Sequence, residues 1–595
     1  MKNAKTIILC FGLMSAIGVK AQQEGLTGFY EELPNPAKKT QVFQKNNEAD
    51  WKNCTGVFSG WGSTDIRYKK ELPPTNGKLN KDIVLTAWKG ERVSSQFLVW
   101  GNQPLQQLSF KVSDLIHSNG KDKIGQQRFL KGFVRYVMTD ELNKDGNGGC
   151  GYRPNAAAYD SSLVADPIDH LTKELSLPAR TTQGGWLRVW VPQDVPAGTY
   201  TGTVSILNGN KVLNTLNIKV NVKDQTLPSV DDWNFRLDLW QNPFAIARYH
   251  GVELWSKEHF EAMKPYMELY HQAGGAVITA SIMHKPWNGQ TYDYFESMVT
   301  WMKKADGTWH FDYTVFDKWV EFMMKLGIKK EINCYSMVPW KLSFQYFDQA
   351  SNQMKFLNME PGSKQYDEVW TTMLKSFADH LKKKGWFGIT HIAMDERPMD
   401  VMKKTIAVIH KADPDFKISL AGNLYEELSP VLNDYCVALS MKYPEKMLQQ
   451  RKKEGKITTY YTCCTEARPN TFTFSPPAEA AWLGWYAAKE NLDGYLRWAL
   501  NSWVKDPLRD SRFSAWAAGD TYLIYPGGRT SIRFERLVEG IQAYEKIHIL
   551  RNKYKNNPAV LKKIQKALNT FDESTLKKTP AAGVVEKANK VINSL

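Results

Sequence analysis

Two carboxylates stand side by side at Asp395-Glu396, where the apolar run His391-Ile392-Ala393-Met394 ends and Pro398 follows shortly after. Adjacent acids that share one opening can divide a task. One is held neutral by partial burial and by its neighbour's charge, and donates a proton. The other stays ionised and steadies developing positive charge. Breaking the bond between two sugars needs both actions: a proton for the leaving oxygen and support for an oxocarbenium-like centre. Surface helices also carry adjacent acids with no chemistry attached, so position decides. Here the pair closes an apolar strand. Arg397 precedes a proline and is biased away from helical angles, which makes the chain turn and lets both acids face one opening. Glu396, with the longer reach, is the expected general acid/base, beside an ionised Asp395.

The elements that must hold this pair are legible around it. The apolar run reads as a buried parallel strand between two amphipathic stretches, Tyr366 to Lys384 and Met399 to Lys411. From residue 233 strands alternate with helix-compatible stretches. Eight strand candidates are Phe235–Trp240, Ala276–Met283, Glu331–Met337, Thr390–Met394, Lys417–Leu420, Cys436–Lys442, Ile457–Thr462 and Gly494–Leu500. That predicts a (β/α)8 TIM barrel over 233–550, with Asp395 and Glu396 at the carboxyl end of strand four, where such barrels keep their chemistry. Tyr335, Asn423, Tyr461, Trp498 and Asn501 fall at the same mouth and are candidate substrate contacts, each equally open to a packing role. Glu466, after strand seven, offers a different pairing: a nucleophile roughly 5 Å from the acid of strand four. Trp482 and Trp485 sit at helical spacing and read as core.

Ahead of the barrel, residues 22–225 read as an antiparallel β-sandwich. Ile83 to Trp88 and Ser95 to Trp100 flank a Lys-Gly-Glu-Arg turn, and Asn208-Gly209-Asn210 joins the arms of a hairpin. Thr226-Leu227-Pro228-Ser229 is the expected linker. Residues 1–21 have the form of an export signal, with Lys2 and Lys5 before an apolar run and a cut after Ala21, which implies a periplasmic or secreted protein. No later stretch is apolar for long enough to span a bilayer.

The net charge of +15 includes ten Lys or Arg against three acids in residues 551–595. Once Lys2, Lys5 and Lys20 leave with the signal the charge is +12, and +7 of it lies in that basic helical C-terminal extension, so a nucleic-acid groove is not expected. The eleven histidines form no His-Glu-x-x-His cluster, and no catalytic metal or cofactor is expected. Asp140 to Gly149 resembles a calcium loop only faintly, with Tyr152 where a bidentate Glu is needed. The cysteines lack zinc or disulfide-scaffold spacing, and Cys334, Cys436 and Cys463 read as buried free thiols.

The chain resembles glycoside hydrolase family 123, the β-N-acetylgalactosaminidase-like enzymes. The resemblance runs through Cys150-Gly151-Tyr152-Arg153-Pro154, Leu177-Pro178-Ala179-Arg180, Trp186-Leu187-Arg188-Val189 and Pro196-Ala197-Gly198-Thr199-Tyr200. It continues in Met337-Val338-Pro339-Trp340, Asp395-Glu396, and the long stretch from Gly519-Asp520-Thr521-Tyr522 to Ser531-Ile532-Arg533-Phe534-Glu535-Arg536. It implies a glycan substrate and retaining hydrolysis assisted by the substrate's own 2-acetamido group. Asp395 would orient the acetamido N–H and balance the oxazolinium charge, while Glu396 would protonate the leaving oxygen and then activate water. Alternatives are the Glu396/Glu466 pairing and a non-catalytic glycan-binding protein.

Overall fold

A computed structural model describes residues 29, 48–74, 79–140, 150, 162–513 and 516–595. Residues 1–21, the expected export signal, and nearly all of the stretch from Asp140 to Tyr152 lie outside these residues.

Two packed sheets form the front half. One runs in spatial order Val57–Gly62, Arg92–Gly101, Thr181–Trp190, Phe129–Thr139, Ser162–Asp169; the other runs Asp82–Lys89, Lys211–Thr226, Gly198–Asn208, Leu105–Val112, Leu175–Leu177. Along Lys211–Thr226, Leu216, Ile218, Val220 and Val222 are buried while Asn217 and Lys219 are exposed, the period of two that a half-covered strand requires. They meet Phe97, Val99, Leu187 and Val189 of the facing sheet in one core. The Asn208–Lys211 turn closes the expected hairpin.

Two details depart from a simple antiparallel sandwich. Asp82–Lys89 pairs parallel with Lys211–Thr226. The Lys-Gly-Glu-Arg turn also joins no hairpin: the strands on either side of it belong to different sheets. Glu91 explains that turn, because its carboxylate accepts the Trp88 N–H at 2.7 Å and its other oxygen meets Lys546 at 2.5 Å.

All eight predicted barrel strands are present, as Arg236–Leu239, Val277–Ser281, Glu331–Tyr335, Thr390–Asp395, Lys417–Gly422, Asp434–Ala438, Ile457–Tyr461 and Gly494–Arg497. Each is parallel to its neighbour and the first pairs with the eighth. Between the first and second strands only a Leu237–Gly275 bridge closes the ring, so the barrel is nearly but not fully laddered. The helix Lys364–Lys384 shows why the fourth strand sits where it does. Ser363 caps it by accepting the Tyr366 N–H, Gly385 ends it at φ 73°, and Tyr366, Val369, Trp370, Met373, Leu374, Phe377 and Leu381 form its buried stripe.

Beneath the mouth, the barrel interior carries charge. Arg236 meets Glu331 and, at 2.6 Å, Asp434. Burial pushes the Asp238 carboxyl up to about 7 despite the pull of Arg236. After the barrel, Ile532–Lys553, Pro558–Leu568 and Ala581–Asn593 are helices whose apolar faces (Ile564, Leu568, Val585 and Ile592 among them) are buried. No helix among the described residues is long and apolar enough to cross a membrane.

Candidate active site

The fourth barrel strand ends on Asp395, and the chain turns at the next residue. Glu396 has φ 46°, in the left-handed region, and its N–H donates to the Ala421 carbonyl at 2.7 Å. Holding a non-glycine residue there costs about 1–3 kcal/mol, a strain that clusters at working sites. The turn breaks the alternation that sends successive strand side chains to opposite faces, so Asp395 and Glu396 line one cavity. The sequence reading put the turn at Arg397. It falls one residue earlier because Pro398 is already the N-cap of the helix Met399–Ala412, leaving little chain in which to leave the strand. Gly422 makes room: a Cβ built there would sit 2.9 Å from the Glu396 N and Cα.

Asp395 is the buried member of the pair, 7% exposed. The indole N–H of Trp340 donates to its Oδ2 at 3.0 Å. Arg397 donates to its backbone carbonyl at 2.6 Å, and its guanidinium lies 4.4 Å over the Trp340 ring. The second carboxylate oxygen, Oδ1, is buried with no partner. Burial pushes the Asp395 carboxyl up to about 6; Arg397 and the Trp340 hydrogen bond pull it back, and Glu396 adds a smaller upward push. Glu396 itself is open to solvent, and the Tyr461 hydroxyl donates to its Oε1 at 3.0 Å. Burial first, and then Glu396, raise Tyr461 far above its ordinary value, so it stays a neutral donor. The expectation that partial burial falls on Glu396, beside an ionised Asp395, is therefore corrected: Trp340 roofs the strand end and covers Asp395, which is the buried acid.

The cavity holds about 320 Å³, at the small end of the roughly 300–1,000 Å³ of ligand pockets, and it is walled by aromatic side chains. Of the five predicted contacts, Tyr461 and Trp498 line it. Tyr335 is buried behind the wall, its ring 4.7 Å from Trp240 and 4.9 Å from Trp287, two indoles that do face the cavity. Asn423 is exposed outside it, its amide donating to the Tyr425 hydroxyl at 3.4 Å. Asn501 is fully buried and exchanges two hydrogen bonds with the Asn242 backbone, bracing the loops of the first and eighth strands. Glu466 also sits behind the wall, 7% exposed, with Oε2 accepting the Cys463 N–H at 2.9 Å. Trp482 and Trp485 are core, as expected.

Residue types at strand ends did not single out Trp340 and Arg397, the two groups that grip Asp395. The available signal was the Met337-Val338-Pro339-Trp340 motif just past strand three. The chain pattern also gave no sign that Cys150 and Cys464, 314 residues apart, form a disulfide in the cavity wall. Cys334, Cys436 and Cys463 are free; the first two are buried as expected, whereas Cys463 is only half-buried. The sulfurs of Cys150, Cys463 and Cys464 lie within 4.8 Å of one another, but two are bonded together, which leaves a single thiol and no metal-ligand set there.

With this geometry in place, the comparisons are decisive. A family model described as "Glycoside hydrolase 123, catalytic domain" matches residues 240–550, and one described as "Glycoside hydrolase 123 N-terminal domain" matches residues 61–208. The chain belongs to glycoside hydrolase family 123. Among solved structures, a family 123 glycoside hydrolase from Clostridium perfringens, presented as revealing details of glycolipid glycan hydrolysis, is similar with a TM-score of 0.81. Identity is 28% over 91% of this chain and 99% of that one. A family 39 glycoside hydrolase from Bacteroides cellulosilyticus covers 78% of this chain and 82% of its own, at 11% identity and a TM-score of 0.32. A Bacteroides ovatus family 5 xyloglucanase covers 78% and 98%, at 10% and 0.26. No curated protein matches. As a family 123 member, the protein is a glycoside hydrolase acting on glycans.

Proposed function

We propose that this family 123 hydrolase removes β-linked N-acetylhexosamine, N-acetylgalactosamine foremost, by retaining, substrate-assisted catalysis. The observation that carries the reading is the unpartnered Oδ1 of Asp395 beside a cavity of about 320 Å³. A buried carboxylate oxygen without a donor calls for one, and a 2-acetamido N–H supplies it. The acetamido carbonyl oxygen then attacks C1, and the C1–O bond to the leaving group breaks as an oxazolinium forms. Asp395 balances that charge, held in place by Trp340 and Arg397. Glu396, steadied by Tyr461, gives its proton to the leaving oxygen. It then takes one from the water that attacks C1 and reopens the ring, so configuration is retained. The glycolipid glycans named for the Clostridium relative fit this reading as natural substrates. A leader of export type and the Cys150–Cys464 disulfide favour a periplasmic or secreted location.

The test compares a 2-acetamido glycoside with its 2-hydroxy counterpart, since only the first carries the internal nucleophile. Turnover of the acetamido substrate alone is expected, with Glu396→Gln lowering kcat by about 10²–10⁴. Equal turnover of both, or near-complete loss in Glu466→Ala with rescue by azide, would overturn substrate assistance in favour of a protein nucleophile. An inert protein that still binds the sugar would point to a glycan-binding role.

A further inference from the structure

Among the described residues, four aromatic side chains are exposed: Tyr292 at 43%, Tyr294 at 45%, Trp340 at 41% and Phe356 at 51%. All four lie on the segments that follow the second and third barrel strands, at the mouth. Scattered apolar residues are ordinary on a surface; gathering every exposed Phe, Tyr and Trp of the described residues on two neighbouring loops is not. The two segments interlock. The Trp340 backbone N–H donates to the Pro286 carbonyl at 2.9 Å, and the His284 and Phe356 ring centres are 6.3 Å apart. The same segments carry Trp287 and Trp340 into the cavity wall, so rim and cavity are continuous.

We infer that this aromatic rim is a second binding surface, a stacking platform for the sugar rings of the leaving group beyond the scissile bond. The inference rests on the reading of the cavity above as the seat of the terminal sugar. The rings are held rather than loose. Trp340 is fixed by its bond to Asp395 and by Arg397 over its face. Lys285 lies 3.8 Å from the centre of Tyr294, and Arg248 lies 4.7 Å from that of Tyr292. Flat faces broken by charged groups suit a sugar, which offers a C–H face ringed by hydroxyls. A membrane-inserting surface would instead be a continuous apolar face. Pre-ordered rings also lose little entropy when a ligand stacks on them.

The experiment measures kcat/KM for the wild type, Tyr294→Ala, Phe356→Ala and Phe356→Tyr on two soluble substrates with the same terminal N-acetylhexosamine. One is its methyl glycoside; the other carries at least two further sugar rings. In the two alanine variants the oligosaccharide-to-methyl-glycoside ratio should fall roughly tenfold, mostly through KM; Phe356→Tyr should keep the wild-type ratio. An unchanged ratio in an enzyme that cleaves both substrates overturns this inference alone. A third arm presents the same glycan on a lipid in neutral phospholipid vesicles. Loss confined to that arm would assign the rim to the lipid surface and overturn sugar stacking. A wild type that cleaves neither soluble substrate overturns the functional reading, and this inference with it.

Discussion

At the level of single residues, Asp395 is where the proposed chemistry and stability pull apart. Its carboxyl sits near 6 when folded, against about 3.9 in an unfolded chain. Protonated Asp395 therefore favours the folded state fully below pH 4. That contribution declines between 4 and 6 and is lost above, because ionisation in a buried place costs more than in water. The proposed chemistry needs the ionised form. The acid limb of kcat/KM should then fall near pH 6, and Trp340→Phe, which keeps an aromatic ring but removes the indole N–H bonded to the charged form, should move that limb to higher pH. Asp395→Asn should abolish most turnover yet raise stability at pH 7–8 by up to about 3 kcal/mol, with a smaller gain at pH 4. Paired pH–rate profiles and thermal melts at the two pH values check both halves. The acids themselves were legible from two letters at the end of an apolar run. The burial order was not, because it depends on Trp340, which a loop 55 residues earlier in the chain folds over the site.

At the level of elements, the fifth strand shapes the fourth. Gly422 lies against the backbone of Glu396, with 2.9 Å available to a Cβ, and backbone atoms cannot step aside as a flexible side chain can. Gly422→Ala should lower stability by about 1–3 kcal/mol and reduce kcat by displacing the Glu396 turn, read by denaturant titration and steady-state kinetics. Strand existence was readable throughout the barrel, since runs such as Glu331–Tyr335 and Thr390–Asp395 are apolar and bounded by turns. Strand partners in the sandwich were less so. Ile83 to Trp88 and Ser95 to Trp100 are close in sequence and joined by a turn, yet they lie in different sheets. The deciding contact is Glu91 with Lys546, a pairing from the far end of the chain that no local pattern records. The mouth residues Tyr335 and Asn501 show the same limit: their types suit a ligand, but their neighbours in space are Trp240, Trp287 and Asn242.

At the level of the whole molecule, the long C-terminal motif joins the halves rather than serving the cavity. Fully buried Asp166 of the sandwich accepts from Arg533 at 2.9 Å, Tyr525 at 2.6 Å and its own domain's Arg67 at 3.0 Å. Asp169 meets Arg529 at 2.6 Å and Arg135 at 2.9 Å, and Arg188 meets Glu535 at 2.9 Å. Thr530–Ser531 even adds a short strand to the edge of the sandwich sheet. Asp166→Ala would strand buried guanidinium groups and should cost about 3–5 kcal/mol, seen as a lower denaturation midpoint for the whole chain. The purpose of this motif is not legible in its letters and emerges only from the partners it meets. The Cys150–Cys464 bridge extends the same theme to the candidate active site, for one sulfur comes from ahead of the barrel and the other from the loop after its seventh strand. A barrel transplanted without its front half would arrive with one side of that cavity wall missing, so the two modules form a single working unit.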